Sequence, residues 1–323
     1  MQVRATEISE QKTFEGKAFP LVLTPDNQPS LEDFLNWLAK NKGQVREQLL
    51  EHGAILFRDF PIESPEAFAQ VVDAGEFEPM PYLGGAAPRD GVVGKKVLTS
   101  NNSPSSEPIP FHHEMAQVPN PPSYIFFYCD LPAEEGGATP IVLSQQVYNR
   151  FHAIDADFAE KLEDVGVKYV RVMPSEDDPS SAIGRSWRST FLTDNRAEAE
   201  EKMQALGTIW EWLDGDNLRT TTAVIPAIRT DARNGQKTFF NSVVAAYTGW
   251  VDERNDPTQA VRCGDDSPVD EEAVLATAAA MKEDCVSFKW KKGDVLFIDN
   301  ALVMHSRQPF DGPRRILASI ARS

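Results

Sequence analysis

The segment Pro110-Phe111-His112-His113-Glu114-Met115, taken with the distant His305, constrains this chain more than any other feature. In a β-strand successive side chains point to opposite faces, so His112 and Glu114 share one face while His113 and Met115 take the other. An imidazole beside a carboxylate offers two ligands to a metal that needs a third. Two histidines and one carboxylate make the facial triad of non-haem Fe(II) oxygenases, which leaves coordination positions open. If His305 closes the triad, the chain is an oxygen-activating enzyme, and His113 is left to packing or to supporting the ligands from behind. A His-x-Glu triplet alone is short and recurs by chance, so the assignment rests on what the remaining sequence adds.

Composition narrows the classes. At 323 residues and 41% hydrophobic content the chain can build a large core, in one big domain or two small ones. Its 32 basic and 49 acidic residues give a formal charge of −17. Such a surface repels phosphate backbones and anionic membranes, so neither nucleic acid nor membrane is expected as a partner, whereas a local basic pocket for a small anion is compatible with it. Cys129, Cys263 and Cys285 are far apart and include no Cys-x-x-Cys, which argues against a disulfide framework and a structural zinc site and fits a reducing compartment. Met1 to Glu7 has no apolar segment of a secretory signal, and no apolar run approaches the ~20 residues of a spanning helix. A cytoplasmic protein is expected; a homo-oligomer is left open.

No repeat, low-complexity tract or Pro/Gly/Ser linker divides the chain, so one domain over 1–323 is expected. Ser30 and Ser64-Pro65 open two helices, and Gly53 to Phe57 reads as a buried strand. Val93–Leu98, Tyr124–Cys129, Ala138–Leu143 and Tyr169–Met173 also read as strands. Ser144 should cap a helix running to Leu162, and Arg196–Leu206 and Asp270–Lys282 read as helices. Hairpins are expected around Asp214–Asn217, at Asn234-Gly235, and at Lys291–Asp294 between Cys285–Trp290 and Val295–Ile298; Ile316–Ile320 is a terminal strand. Short strands thus flank a helical middle, with His112 and Glu114 in the first region and His305 in the second. This suits a mainly β architecture with helices, a double-stranded β-helix or jelly-roll holding a site between two sheets. The mixed helical and hairpin segment at 144–247 is expected to be an insertion over the barrel mouth.

Past His305 the chain turns at Asp311-Gly312-Pro313 and re-enters a strand with Arg314-Arg315, so a guanidinium can return beside the histidine. Its natural task there is to pair with a carboxylate of a bound acid. Phe111-His112-His113-Glu114-Met115, Gly136-Gly137-Ala138-Thr139-Pro140, Asp299-Asn300 ahead of His305, and Arg314-Arg315 together resemble the taurine dioxygenase-like (TauD/TfdA) family of Fe(II)/2-oxoglutarate oxygenases, and within it the clavaminate synthase-like proteins. The likeness runs from about Gly53 to the C-terminus, and Gly184-Arg185-Ser186-Trp187 and Phe240-Asn241-Ser242 share in it.

The resemblance implies Fe(II) on His112, Glu114 and His305, with 2-oxoglutarate and O₂ as the other reactants. It implies that Thr139 hydrogen-bonds a 2-oxoglutarate carboxylate and that Arg315 pairs with the distal one; Arg314, on the opposite strand face, would lie at the surface. A single-residue slip in register would exchange the two arginines. Taurine dioxygenase carries a second, substrate-binding arginine four residues further on, where this chain has Ser319, so a sulfonate held in that way is not expected. Glu114 occupies the position that related halogenases vacate for chloride, which points to hydroxylation, desaturation or ring closure. The reading is a dioxygenase that oxidises a C–H bond of a small, amino-acid-like metabolite, most simply by hydroxylation, and releases succinate and CO₂. Asn101, Asn102, Arg185, Arg188 and Asn241 are candidate substrate contacts, with ordinary loop, surface-pair and strand-end roles as their alternatives. Two rival functions stand: a jelly-roll metal enzyme that needs no 2-oxoglutarate, and a non-catalytic 2-oxoglutarate-binding protein.

Overall fold

The apolar runs of the sequence become the middle of one large sheet. Ala54–Phe57, Val295–Asp299, Tyr124–Leu131 and Arg315–Arg322 lie side by side in that order, at the centre of nine strands. The computed structural model describes residues 1–322. Neighbours in this central group are antiparallel, and Phe126 faces Phe297 across one pair and Ser319 across the other. These strands are covered on both sides, which is why they read as continuous apolar runs instead of alternating ones.

Strand parity sorts the two faces. Ile55, Phe57, Phe126, Tyr128, Phe297 and Leu317 point outward, into a core completed by Phe34, Leu38, Leu49 and Phe68 of the helices Leu31–His52 and Pro65–Ala74. The first helix opens with a capping box in which Ser30 and Asp33 satisfy each other's backbone donors. It stops at Gly53, whose φ of 74° is left-handed and whose missing Cβ leaves room for Val303, 2.7 Å from where that atom would stand. The second helix starts with Ser64 as its cap and Pro65 at its first position, as the sequence suggests.

Leu56, Ile125, Phe127, Leu296, Ile298 and Ile316 point the other way, toward a smaller three-stranded sheet ordered Ile141–Leu143, Val303–Arg307, Ile109–His112. Two sheets face to face make the expected jelly-roll. The back of the small sheet, with Phe111, Val142 and Met304, is buried by the helical middle, including Phe151, Phe158, Val244 and Met281. A separate four-stranded sheet, ordered 209–212, 218–221, 167–173, 261–263, belongs to the same layer. That layer runs past residue 247, since Val261–Cys263 and the helix Glu271–Asp284 are built into it.

Several local expectations change. The stretch after Leu143 is two helices, Ser144–Ile154 and Ala156–Val165, broken at Asp155, which caps the second through the amide of Phe158. Ser144 does not cap the first; its hydroxyl is spent on His113. Val93–Leu98 is a hairpin of Gly91–Val93 and Val97–Thr99. Cys285–Trp290 is no strand: Val286, Phe288 and Trp290 alternate into the core, but only Val286 makes a ladder pair, with Ile141. Side-chain alternation there imitates a strand without a partner for the backbone.

Phe297 sits against Phe57, Phe77 and Phe126 with ring centroids 4.9, 5.8 and 4.6 Å away. Phe297→Ala should destabilise the fold by about 3–5 kcal/mol, read from the midpoint of urea unfolding at unchanged slope. A loss below about 1 kcal/mol would contradict this packing.

Candidate metal centre

Val303–Arg307 pairs with Ile109–His112 so that His305 faces His112 directly, and with Ile141–Leu143 so that His305 also faces Ile141. The two imidazole centroids are 4.3 Å apart. Glu114 lies just beyond the end of its strand, and the chain then turns at Met115, whose φ is 54°. His112, Glu114 and His305 bring ligand atoms within 4.8 Å of one another, with Glu114 Oε2 3.6 Å from His305 Nε2. The expected trio therefore converges, although strand alternation is only part of the reason: the turn also swings Met115 into the cavity instead of away from it.

Each donor is prepared by its surroundings. His112 Nδ1 donates to the Pro110 carbonyl at 2.8 Å, which fixes the tautomer and leaves Nε2 with a lone pair. Burial pushes the pKa of His112 down, against the pull of Glu114, and that of His305 well below its usual value. Both rings are thus neutral at neutral pH, as ligation requires. His305 Nδ1 is buried with no partner. Glu114 is held through its backbone: Asn300 Oδ1 accepts its N–H at 2.8 Å, and Asn300 Nδ2 donates to its carbonyl at 3.0 Å and to that of Pro122 at 2.8 Å. His113 is excluded from the centre because both its nitrogens are used, donating to the Asn300 carbonyl at 2.6 Å and accepting from the Ser144 hydroxyl at 2.8 Å. Burial holds its pKa down at about 3, and it stacks on Phe240. Two neutral imidazoles and one carboxylate, with room beside them, are a donor set suited to Fe(II).

The trio opens into a cavity of about 920 Å³, mouth included. Thr139 and Arg314 line it together. Arg314 donates to the Gly137 carbonyl at 2.9 Å and to Thr139 Oγ at 3.4 Å. Thr139 Oγ also accepts from the Trp290 indole at 3.1 Å, so its own hydroxyl proton is free to be donated. Burial, reinforced by the like charge of Arg307, lowers the Arg314 pKa to about 10; the group is still cationic at neutral pH and makes no ion pair with a carboxylate among the described residues. Arg315 is placed elsewhere. Its side chain is 48% exposed and pairs with Asp130 at 3.0 Å on the outer surface. The expected orientation of the pair is thus reversed: Ile316 lines the cavity, and with a period of two so does Arg314. Four residues beyond Arg314 stands Ala318, so neither choice of arginine puts a second one at that spacing.

The other candidates divide. Asn101 lines the cavity, whereas Asn102 turns outward to Asp90. Arg185 is buried outside the lining and ties the carbonyls of Tyr82, Gly85 and Ser189 together. Arg188 pairs with Asp216 and Glu176 at the surface. Asn241 is buried but structural, bonding the Ala227 carbonyl and the Val243 amide. Sequence reading missed Arg89 and Arg307, both in the cavity wall. Arg307 was visible two residues after His305, since the parity that aims His305 inward aims it inward too. Nothing in the Gly84–Asp90 loop marks Arg89.

A jelly-roll that carries two histidines and a carboxylate at the mouth of such a cavity is the construction of a non-haem Fe(II) oxygenase. Residues 19–320 match the taurine catabolism dioxygenase TauD, TfdA family, and the chain belongs to that family. It is an Fe(II)/2-oxoglutarate-dependent oxygenase, using Fe(II), 2-oxoglutarate and O₂. It is 47% identical, over 98% of both chains, to a clavaminate synthase-like protein of Arabidopsis thaliana. It is 28% identical to the dapdiamide synthesis protein DdaC of Enterobacter agglomerans, over 93% of this chain and 90% of that one. Among solved structures, the fold is shared with PvcB of Pseudomonas aeruginosa (TM-score 0.56, 14% identity, 99% and 91% coverage). It is shared also with an asparagine oxygenase (TM-score 0.53, 14% identity, 90% and 79% coverage). No helix among the described residues is long and apolar enough to cross a membrane.

Asn300→Ala should lower Fe(II) affinity by about 10–100-fold in anaerobic calorimetric titration, because Glu114 loses its tether. Affinity within twofold of wild type would show that the turn holds Glu114 unaided.

Proposed function

We propose that the protein hydroxylates a C–H bond of a small, amino-acid-like metabolite, with His112, Glu114 and His305 as the iron ligands and Thr139 and Arg314 as the grip on 2-oxoglutarate. The observation that carries the reading is Arg314: a half-buried, charged guanidinium in the wall of the metal cavity, with no carboxylate partner among the described residues. Burying such a charge is costly unless an anion meets it. The far carboxylate of 2-oxoglutarate supplies that anion, and the free proton of Thr139 adds a second contact.

Bound at the three ligands, Fe(II) with 2-oxoglutarate supplies the oxidising power, so that O₂, 2-oxoglutarate and the substrate C–H bond become succinate, CO₂ and a C–OH group. The chain's residues do the rest. The Pro110 carbonyl orients His112, Asn300 sets Glu114, and Gly137 and Thr139 orient Arg314. Phe127, Ile183, Met115, Trp250 and Ile316 give the cavity apolar walls that exclude water and restrict how a substrate can lie. The substrate class is supported by the asparagine oxygenase of the same fold, whose structure holds 3-hydroxyasparagine and succinate. A small-molecule substrate fits a cavity with such walls and an open mouth.

Two substitutions separate this reading from its neighbours. Glu114→Ala should abolish succinate formation from 2-oxoglutarate; turnover at the wild-type rate would remove Glu114 from the centre. Arg314→Ala should weaken 2-oxoglutarate binding by at least roughly 30-fold, the loss expected on truncating one partner of a buried charge pair. Arg315→Ala should change it by no more than about twofold, as for an exposed surface pair. The opposite ranking, measured by anaerobic calorimetry, would return the cosubstrate role to Arg315.

A further inference from the structure

The cavity is cationic inside an acidic protein. Arg89, Arg307 and Arg314 line it, and Glu114 is its one acidic residue, although the whole chain carries −17. Fe(II) and 2-oxoglutarate carry equal and opposite charges, so filling both sites leaves the cationic excess in place. That excess must be met by the remaining occupant, the substrate.

The three guanidinium groups are not equally available. Arg314 faces Thr139 and belongs to the cosubstrate side. Arg307 has spent both terminal nitrogens on the carbonyls of Ser103, Pro104 and Glu107, and only its Nε is left buried without a partner among the described residues. Arg89 is different. Its side chain is 5% exposed, and one terminal nitrogen, Nη2, reaches both Glu114 oxygens at 3.0 Å. Among the described residues Nε and Nη1 are buried with no hydrogen-bond partner, the neighbouring Tyr82 side chain only helping to stabilise the charge. The guanidinium lies 4.2 Å from the Tyr82 ring centroid, and Arg185 stacks on the same ring at 4.8 Å while fastening the Tyr82 and Gly85 carbonyls. Arg89 is therefore held in place beside the metal ligands with two donors unspent. Leaving such donors unsatisfied is costly, and more so for a charged group, so the arrangement persists only if something answers them. Neither Ala318 nor Ser319 provides an arginine on the last strand.

We propose that Arg89 is the substrate anchor: its free Nε–H and Nη1–H receive a carboxylate of the substrate, and the enzyme takes acids in preference to their neutral amides. The inference rests on the reading of the cavity as an Fe(II)/2-oxoglutarate site and adds to it the ionic state of the substrate and the residue that selects it. Arg89 also touches Glu114, so a loss of activity alone would not separate anchoring from support of the metal ligand, and binding is the quantity to measure.

The test is anaerobic calorimetry on protein loaded with Fe(II) and 2-oxoglutarate. The probes are the L-amino acids, their N-acetyl derivatives and the α-carboxamide of each. In wild type the tightest-binding acid should exceed its own carboxamide by at least about tenfold. In Arg89→Gln, compared at equal Fe(II) and 2-oxoglutarate occupancy, that ratio should fall to within about threefold. If Arg89→Gln does not hold Fe(II), Arg89→Lys replaces it; the charge stays but the planar fork goes, and the ratio should fall part of the way. The inference is overturned if no acid outbinds its amide in wild type, or if the ratio survives substitution. Failure of wild type to bind 2-oxoglutarate with Fe(II) is a distinct result, which removes the underlying reading and this inference with it.

Discussion

The pairing of two short strands carries this structure. Val303–Arg307 meets Ile109–His112 with His305 opposite His112, and a slip of one residue would send His305 to the back of the sheet, where Met304 now packs. The apolar order on both sides prevents the slip. Met304, Val142 and Phe111 fill the core behind, while Val303 and Ile141 fill the core in front. His305 is thus aimed by the hydrophobic pattern of its neighbours, and Asn300, on the turn leading into the same strand, sets the backbone of Glu114. Packing and coordination are fixed by one register.

Charge is distributed with similar economy. A chain of net −17 concentrates arginine where three elements meet: the loop before the first histidine strand, the second histidine strand, and the start of the last strand. The three guanidinium groups differ in what already answers them. Carbonyls answer Arg307 and Glu114 answers part of Arg89, while Arg314 has only a carbonyl and a hydroxyl. Such unequal satisfaction separates a structural arginine from ones waiting for an anion more sharply than burial does, because none of the three is exposed.

Much of the site was legible in the sequence. The His-x-Glu triplet converges with the distant histidine as expected, and the threonine after the double glycine, marked only by the family resemblance, lines the same cavity. The helix starts at Ser30 and Ser64 were readable because capping is local chemistry. What failed was whatever depended on tertiary register. Arg314 and Arg315 are adjacent, and only the pairing of Leu131 with Arg315, across an irregularity after Cys129, determines which one faces inward. Cys285–Trp290 alternates like a strand yet lacks a ladder, since the core takes its side chains and no neighbour takes its backbone. Arg89 was invisible because the loop that delivers it has no periodicity and is shaped by Tyr82 together with Arg185, which is far away in sequence.

A crystal structure with Mn(II) and N-oxalylglycine, an unreactive analogue of 2-oxoglutarate, would test the central claim most directly. The account predicts the metal on His112 Nε2, Glu114 and His305 Nε2, the distal carboxylate of the analogue on Arg314 and Thr139, and Arg315 still on Asp130 at the surface. A metal held by other residues, or an analogue whose distal carboxylate meets neither Arg314 nor Thr139, would contradict it.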